Sequence, residues 1–317
     1  MEVFILGCGG MMPLPNRHLT SMLVRRDGDL LLFDCGEATQ ISLKKLNLRW
    51  KKIKAIFISH THADHITGLP GMLMLSSQVH RDEPLYIIGP PKVKAYVEAQ
   101  LDTLDMYINY QIVIIEIDPY QREVVFEDEA YVVRNFPLYH RRVCVGYSIE
   151  EKPRAGVFHP DRARALGIPE GPLWGKLQRG QSVENQAGET IKPSQVIGAP
   201  RSGRKISFVT DTLYNPSIAK DVFGSDLLIC EGMFTQELLA SAQEKHHLIA
   251  KQSGQIAKDA QVKQMGLIHY SPRYMDWELP KLLQEAQSIF PNTFLSRDRM
   301  HLHIPHQEDE TSPNCQP

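Results

Sequence analysis

Short apolar runs rich in β-branched residues, each closed by Gly, Asp or Pro, recur along the first third of the chain. Residues 3–6, 30–33, 55–58 and 85–88 read as strands, because such side chains fit a pleated, buried surface and the punctuation ends it. Between them, residues 37–46, 69–75 and 91–104 have helical composition. A denser β region covers 112–117, 123–126 and 131–133. In the last third, strands are predicted at 206–209, 227–230 and 266–268, and helices at 249–260 and 279–289. This alternation predicts an α/β fold with two sheet-rich halves. No run approaches the roughly 20 apolar residues that cross a bilayer, so no membrane association is expected.

The pattern fails between residues 151 and 205. That stretch holds six Pro and eight Gly, with ten Lys or Arg against five Asp or Glu, a local charge of +5. A long basic Pro/Gly-rich segment is either a disordered linker or a functional protrusion. At 317 residues the chain allows one large domain or two small ones. The expected division is one domain from residues 1–150 and 200–306, an inserted basic arm at 151–199, and a polar, flexible tail at 307–317. The net charge of −2 argues, taken whole, against a nucleic-acid partner, but the +5 of residues 151–205 leaves −7 on the rest. The five Cys are scattered without paired spacing; with no basic, apolar leader at the start, a reduced cytoplasmic protein is expected.

Candidate chemistry is concentrated in Phe57-Ile58-Ser59-His60-Thr61-His62-Ala63-Asp64-His65. An apolar strand delivers three His and an Asp within six positions, the ligand types that a divalent zinc ion prefers. A pair of His among 13 in the chain means little; four ligand-type residues closing one buried strand mean more. A two-metal site needs further ligands, and His140, Asp211 and His269 each follow a predicted strand. Singly, each reads equally as a turn residue or a satisfied core group.

With these residues in view, the chain resembles the ribonuclease Z family of the metallo-β-lactamase superfamily. The superfamily signature His-x-His-x-Asp-His is met by His60, His62, Asp64 and His65, and the family's continuation by Gly68-Leu69-Pro70-Gly71. Similar too are Leu32-Phe33-Asp34-Cys35-Gly36-Glu37, Phe208-Val209-Thr210-Asp211-Thr212 and His269-Tyr270-Ser271-Pro272-Arg273-Tyr274. Within the arm, Gly171-Pro172-Leu173-Trp174-Gly175-Lys176 resembles the part of the family's exosite that grips tRNA.

The resemblance implies an αβ/βα four-layer sandwich with a protruding exosite arm, and two zinc ions per subunit, with manganese or iron also accepted. His60, His62 and His140 would hold one ion, and Asp64, His65 and His269 the other, with Asp211 bridging. It further implies a homodimer that removes the 3′ trailer from precursor tRNA and leaves a 3′-hydroxyl. Asp64 would take the proton of the attacking water. His247 in Lys245-His246-His247-Leu248 would protonate the leaving oxygen, although Leu248 and Ile249 replace the family's small hydroxyl residues and leave His246 as a rival. Gly171, Pro172, Lys176, Arg179, Arg273 and Tyr274 are the candidate substrate contacts.

Weaker signals are Gly7-Cys8-Gly9-Gly10, a phosphate cradle or a tight turn, and Asp298, to which no chemistry is assigned. His18, His80, His159, His301, His303 and His306 lack ligand-like surroundings. Two alternatives remain open from the residues. One is another hydrolase of this fold acting on a small phosphodiester or thioester. The other is an inert RNA-binding protein with a structural zinc.

Overall fold

The computed structural model describes residues 1–78 and 81–306. The expectations for the tail at 307–317, for His80 and for Cys315 fall outside the described residues. The chain divides into two compact units. The larger comprises Met1–Asp128, Val132–Glu150 and the described residues from Arg204 onward; the smaller comprises Glu129–Tyr131 and Glu151–Gly203.

The larger unit contains two seven-stranded sheets. In the first, the strands run in the order Met300–His303, Glu2–Gly7, Ser21–Arg26, Asp29–Phe33, Ile53–Phe57, Leu85–Gly89, Ile112–Glu116. The last four are mutually parallel. Parallel strands are covered on both faces, which is why these read as continuous apolar runs. In the second sheet the order is Thr293–Leu295, Met265–Ile268, Leu227–Glu231, Lys205–Val209, Val143–Glu151, Tyr131–Tyr139, Val124–Glu127. Its first four strands are again parallel.

Aromatic side chains join the sheets face to face. Phe33 of the first lies 6.2 Å from Phe208 and 6.1 Å from Tyr147 of the second, ring centre to ring centre, and Phe57 lies 5.5 Å from Tyr147. Each such pair adds about 0.5–1.5 kcal/mol beyond the area it buries. The buried Tyr147 hydroxyl donates to the Ile58 carbonyl at 2.8 Å, so its polar end is satisfied. On the outer face of the first sheet, the helix Val93–Thr103 buries Val93 and Val97 against Leu85 and Ile87. Helices Ala250–Asp259 and Leu279–Gln287 pack on the second. The result is the helix–sheet–sheet–helix sandwich expected from the sequence.

Ser21–Arg26, Val143–Glu151 and Thr293–Leu295 are among the strands that escaped the sequence pattern. Ser21–Arg26 is buried over four residues and ends in two arginines, and it pairs with Asp29–Phe33 across an Asp27-Gly28 turn. The positive φ of Asp27, 51°, is the conformation such a two-residue hairpin requires. Val143–Glu151 is buried on both faces but interrupted by Gly146, and Thr293–Leu295 is only three residues long.

The smaller unit has elements of its own. Helices Pro160–Ala165 and Pro172–Gln178 and the hairpin of Val183–Glu184 with Thr190–Ile191 enclose Ala163, Ile168, Leu177, Val183, Ile191 and Val196. Both helices start at Pro, which loses no hydrogen bond at that position. Trp174 lies against Phe158, ring centres 5.2 Å apart, with its indole N–H donating to the Ile168 carbonyl at 3.2 Å.

Candidate metal centre

The parallel strands of both sheets end at one place, the carboxyl-edge position where α/β folds put their sites. After Ile53–Phe57 the chain bends at Ser59, passes His60 and enters from His62 the short helix Ala63–Ile66, which carries Asp64 and His65. From the second sheet, His140 follows Tyr131–Tyr139, Asp211 follows Lys205–Val209, and His269 follows Met265–Ile268. His269 has φ 62°, in the left-handed region, where it turns sharply out of its strand. A Cβ on Gly10 would lie 2.6 Å from the His269 Nε2 atom, so only glycine lets this loop pass the ring.

Two groups of donor atoms form. One is His60, His62, His140 and Asp211; the other contains Asp64, His65 and His269. In the first, the His60 Nε2–His62 Nδ1 and His140 Nε2–His62 Nδ1 distances are 3.0 and 3.2 Å. Asp211 Oδ2 lies 3.6 Å from His60 Nε2 and 3.7 Å from His140 Nε2. In the second, His65 and His269 present their Nε2 atoms 3.1 Å apart. Each of these is 3.3 Å from Asp211 Oδ1, and Asp64 Oδ2 lies 3.2 Å from His269 Nε2. Asp211 thus offers one oxygen to each group. Metal–nitrogen bonds of about 2.0–2.1 Å separate the donors of a tetrahedral site by roughly 3.3 Å. The donor set therefore fits two metal ions sharing one carboxylate.

Electrostatics favours cations as strongly as geometry. Asp34, Asp64, Asp211 and Glu231 are all buried, and buried carboxylates are costly unless positive charge compensates them. Burial alone would raise the Asp211 carboxyl, but His269, His65 and His247 outweigh it and hold it well below the usual range. Asp64 is likewise held low against burial by His65 and His269. Burial would lower His269, but Asp211, Asp64 and Glu231 push it up to about 10. His65 is raised in the same way, its burial outweighed by Asp211, Asp64 and Asp34. Burial dominates at His60, His62 and His140, which lie below the ordinary imidazole value. That is the neutral state in which an imidazole donates a lone pair.

Supporting residues fix the rings. His65 Nδ1 lies 2.7 Å from Asp34 Oδ2, and Asp34 also accepts from the Ser59 N–H at 2.7 Å. His140 Nδ1 lies 2.9 Å from the His246 carbonyl. His247 Nδ1 lies 3.0 Å from Glu231 Oε2, while Glu231 Oε1 accepts from the backbone N–H of Thr212 and Leu248 at 2.8 and 3.0 Å. Partners of this kind select the tautomer and leave the other ring nitrogen facing the site. Glu231 and Asp34 carried no assigned role in the sequence; each was an acid closing an apolar strand, and Asp34 lay also in a segment similar to the family's. Glu231, Asp211, His247 and His269 form a third group of convergent donor atoms.

His246 is half-buried and contributes its carbonyl, not its ring, to the site. The small hydroxyls missing at Leu248 and Ile249 are replaced by Gln252, whose Oε1 accepts the Ile249 N–H at 3.1 Å, and by Ser253, bonded to the Glu231 carbonyl at 2.5 Å. Met11 N–H donates to Asp64 Oδ2 at 2.6 Å, and Asp298 ties the base of the same loop through the N–H groups of Cys8 and His18. The Gly7-Cys8-Gly9-Gly10 segment therefore packs against the donors. Arg273 is exposed, with its guanidinium over the Phe234 ring at 5.1 Å. Tyr274 is buried, its hydroxyl accepting from the Thr235 N–H at 3.1 Å. Gly171, Pro172, Lys176 and Arg179 lie in the smaller unit, all exposed at the helix Pro172–Gln178 or its ends. His301 and His303 are exposed on the strand Met300–His303, with His301 stacked on Phe4 at 4.3 Å.

Fold and donor set together define a hydrolase of the metallo-β-lactamase fold, and relatives narrow the class. Residues 1–112 match the family model described as Anti-Pycsar protein Apyc1. Over 308 residues the chain is 60% identical to a ribonuclease Z of Treponema denticola, covering 97% of this chain and 99% of that protein. A ribonuclease Z of Borrelia duttonii is 44% identical over 307 residues, covering 95% and 96%. Among solved structures, human tRNase Z, short form, superposes with a TM-score of 0.70 at 25% identity, covering 96% of this chain and 100% of that one. The metallo-β-lactamase fold protein YhfI of Bacillus subtilis superposes with a TM-score of 0.67 at 18% identity, covering 95% of this chain and 98% of that one. The chain belongs to the ribonuclease Z family and is a hydrolytic endoribonuclease.

Proposed function

We propose that the chain is a two-zinc endoribonuclease that removes the 3′ trailer from precursor tRNA, leaving a 3′-hydroxyl on the tRNA and a 5′-phosphate on the trailer. The observation that supports this best is the pair of donor groups meeting on Asp211, with His247 held beside them by Glu231. His60, His62 and His140 would hold one ion, Asp64, His65 and His269 the other, and Asp211 both. When bound, the two ions supply Lewis-acid activation of a water near neutral pH and neutralise charge on the phosphoryl oxygens.

The side chains do the rest. Asp64, oriented by the Met11 N–H, takes the proton of the attacking water. As the new bond to phosphorus forms, the bond from phosphorus to the ribose 3′-oxygen breaks, and that oxygen receives a proton from His247. Burial would lower the His247 ring, but Glu231 and Asp211 raise it, which keeps the proton there to be donated. Arg273 meets a phosphate of the substrate, and buried Tyr274 positions the segment that carries it.

The tRNA body is taken by the smaller unit through Gly171, Pro172, Lys176 and Arg179. Exposed Arg162, Lys176, Arg179 and Lys192 make no ion pair among the described residues and are available to phosphates. The enzyme acts as a homodimer in the cytoplasm. Among the described residues, no helix is long and apolar enough to cross a membrane.

Cleavage of a precursor tRNA with mapped product ends, with and without chelator, tests the proposal. A cut at the trailer junction that chelator abolishes and Asp64→Ala eliminates is expected. Full cleavage by Asp64→Ala refutes its role; hydrolysis of small phosphodiesters with no cut in tRNA favours the other hydrolase.

A further inference from the structure

On the side of the donor cluster that carries His62 and His140, the larger unit has two hollows. One, of about 470 Å³, is lined by His62, Lys92, Arg141 and Arg142 among others. The other, of about 520 Å³, is lined by Tyr120, Arg122, Tyr139, His140 and Arg142 among others. Both are lined by Arg141, Arg142 and Val143, and the second is the groove beside His140. Neither lining contains an Asp or Glu among the described residues, although the chain outside 151–205 carries −7.

The cations of this groove are not equivalent. Arg122 is paired with Asp221 through bonds of 2.6 and 3.1 Å. The Arg141 guanidinium donates to the Glu244 carbonyl. Arg142 pairs with no carboxylate among the described residues and is exposed. Beside it stand two exposed aromatic rings, Tyr120 at 73% and Tyr139 at 46% of full exposure. The backbone holds Tyr139 firmly, its N–H donating to Thr212 Oγ1 at 2.9 Å and its carbonyl accepting from the Leu213 N–H at 2.6 Å. The next residue is His140, a member of the donor cluster.

Uncommitted positive charge alternating with exposed rings is the surface that holds unpaired nucleic acid, phosphates on the cations and bases stacked on the rings. A duplex keeps its bases stacked on one another and could use only the charge. We infer that this groove binds the unpaired trailer 3′ of the scissile phosphate, with Arg142 on its backbone and Tyr139 and Tyr120 under its bases. The inference rests on the proposed precursor-tRNA cleavage and adds the surface that reads the part to be removed.

The test uses two precursors of the same tRNA, one with a single-nucleotide trailer and one with a trailer of about fifteen nucleotides, cleaved by the intact protein and by Tyr139→Ala/Arg142→Ala. For the unchanged protein, KM should be at least about fivefold lower on the long trailer, the smaller effect expected of one stacked base. The double variant should lose that preference with kcat and short-trailer KM unchanged. Its dependence of log KM on log salt for the long trailer should flatten by about 0.7, one phosphate contact on a single strand. Equal loss on both substrates, or no loss on either, overturns the inference. If neither precursor is cut by the unchanged protein, the underlying function is wrong instead, a result distinct from a missing length preference.

Discussion

The donor cluster and the smaller unit are built on opposite terms. The cluster is made of buried polar groups at the ends of parallel strands, where nearly every ring nitrogen and carboxylate oxygen faces a named partner. The smaller unit has a core of few side chains under an exposed basic surface. In the first, removing one partner leaves charge buried and unpaired; in the second, a surface cation can be lost with little effect on folding. Chemistry needs the former and long-range attraction to a polyanion needs the latter. The net charge of −2 averages over this division and conceals it.

Substitutions that separate the two regions fall in a clear order. Asp211→Ala should have the largest effect, since it removes an oxygen from both donor groups. Cleavage is expected to fall by at least about 10³-fold, several kcal/mol of lost stabilisation, and metal per chain measured by mass spectrometry should drop below two. Glu231→Gln keeps the donors but loosens His247; a loss of about 10–100-fold with metal content retained would place it as a positioning residue. An unchanged rate would show that His247 needs no carboxylate.

Within the smaller unit, Leu177→Ala opens the core and should destabilise it by about 2–5 kcal/mol. Hydrogen exchange should rise across residues 151–203 while small-phosphodiester hydrolysis persists and precursor cleavage falls. Collapse of both activities would mean that the two regions are not separable. The smallest effect belongs to Arg164→Ala. Its ion pairs with Asp161 and Glu170 are exposed, so thermal unfolding should register no more than about 1 kcal/mol.

These regions also differed in how far they could be read from sequence. The cluster was legible because His60, His62, Asp64 and His65 crowd into six positions, and because His140, Asp211 and His269 close apolar strands. The parallel strands themselves announced their burial by composition. Glu231 and Asp34 were not legible as functional, since an acid after an apolar run also marks an ordinary turn; only the folded positions of His247 and His65 give them a task. Val143–Glu151 was missed because Gly146 breaks the run, and the glycine is there to clear Phe136, whose ring would lie 2.2 Å from an added Cβ. In the smaller unit, charge and Pro/Gly content marked a departure without revealing its two short helices. Their apolar positions are too few to set a helical period against so many prolines and glycines.

The central claim is that two metal ions, sharing Asp211, are needed to cut precursor tRNA. Stripping the protein of metal and adding zinc in steps, with calorimetry and mapped cleavage followed together, tests it most directly. Two equivalents should bind, and cleavage should appear only as the second is taken up. Full cleavage after one equivalent, or in the stripped protein, would contradict it.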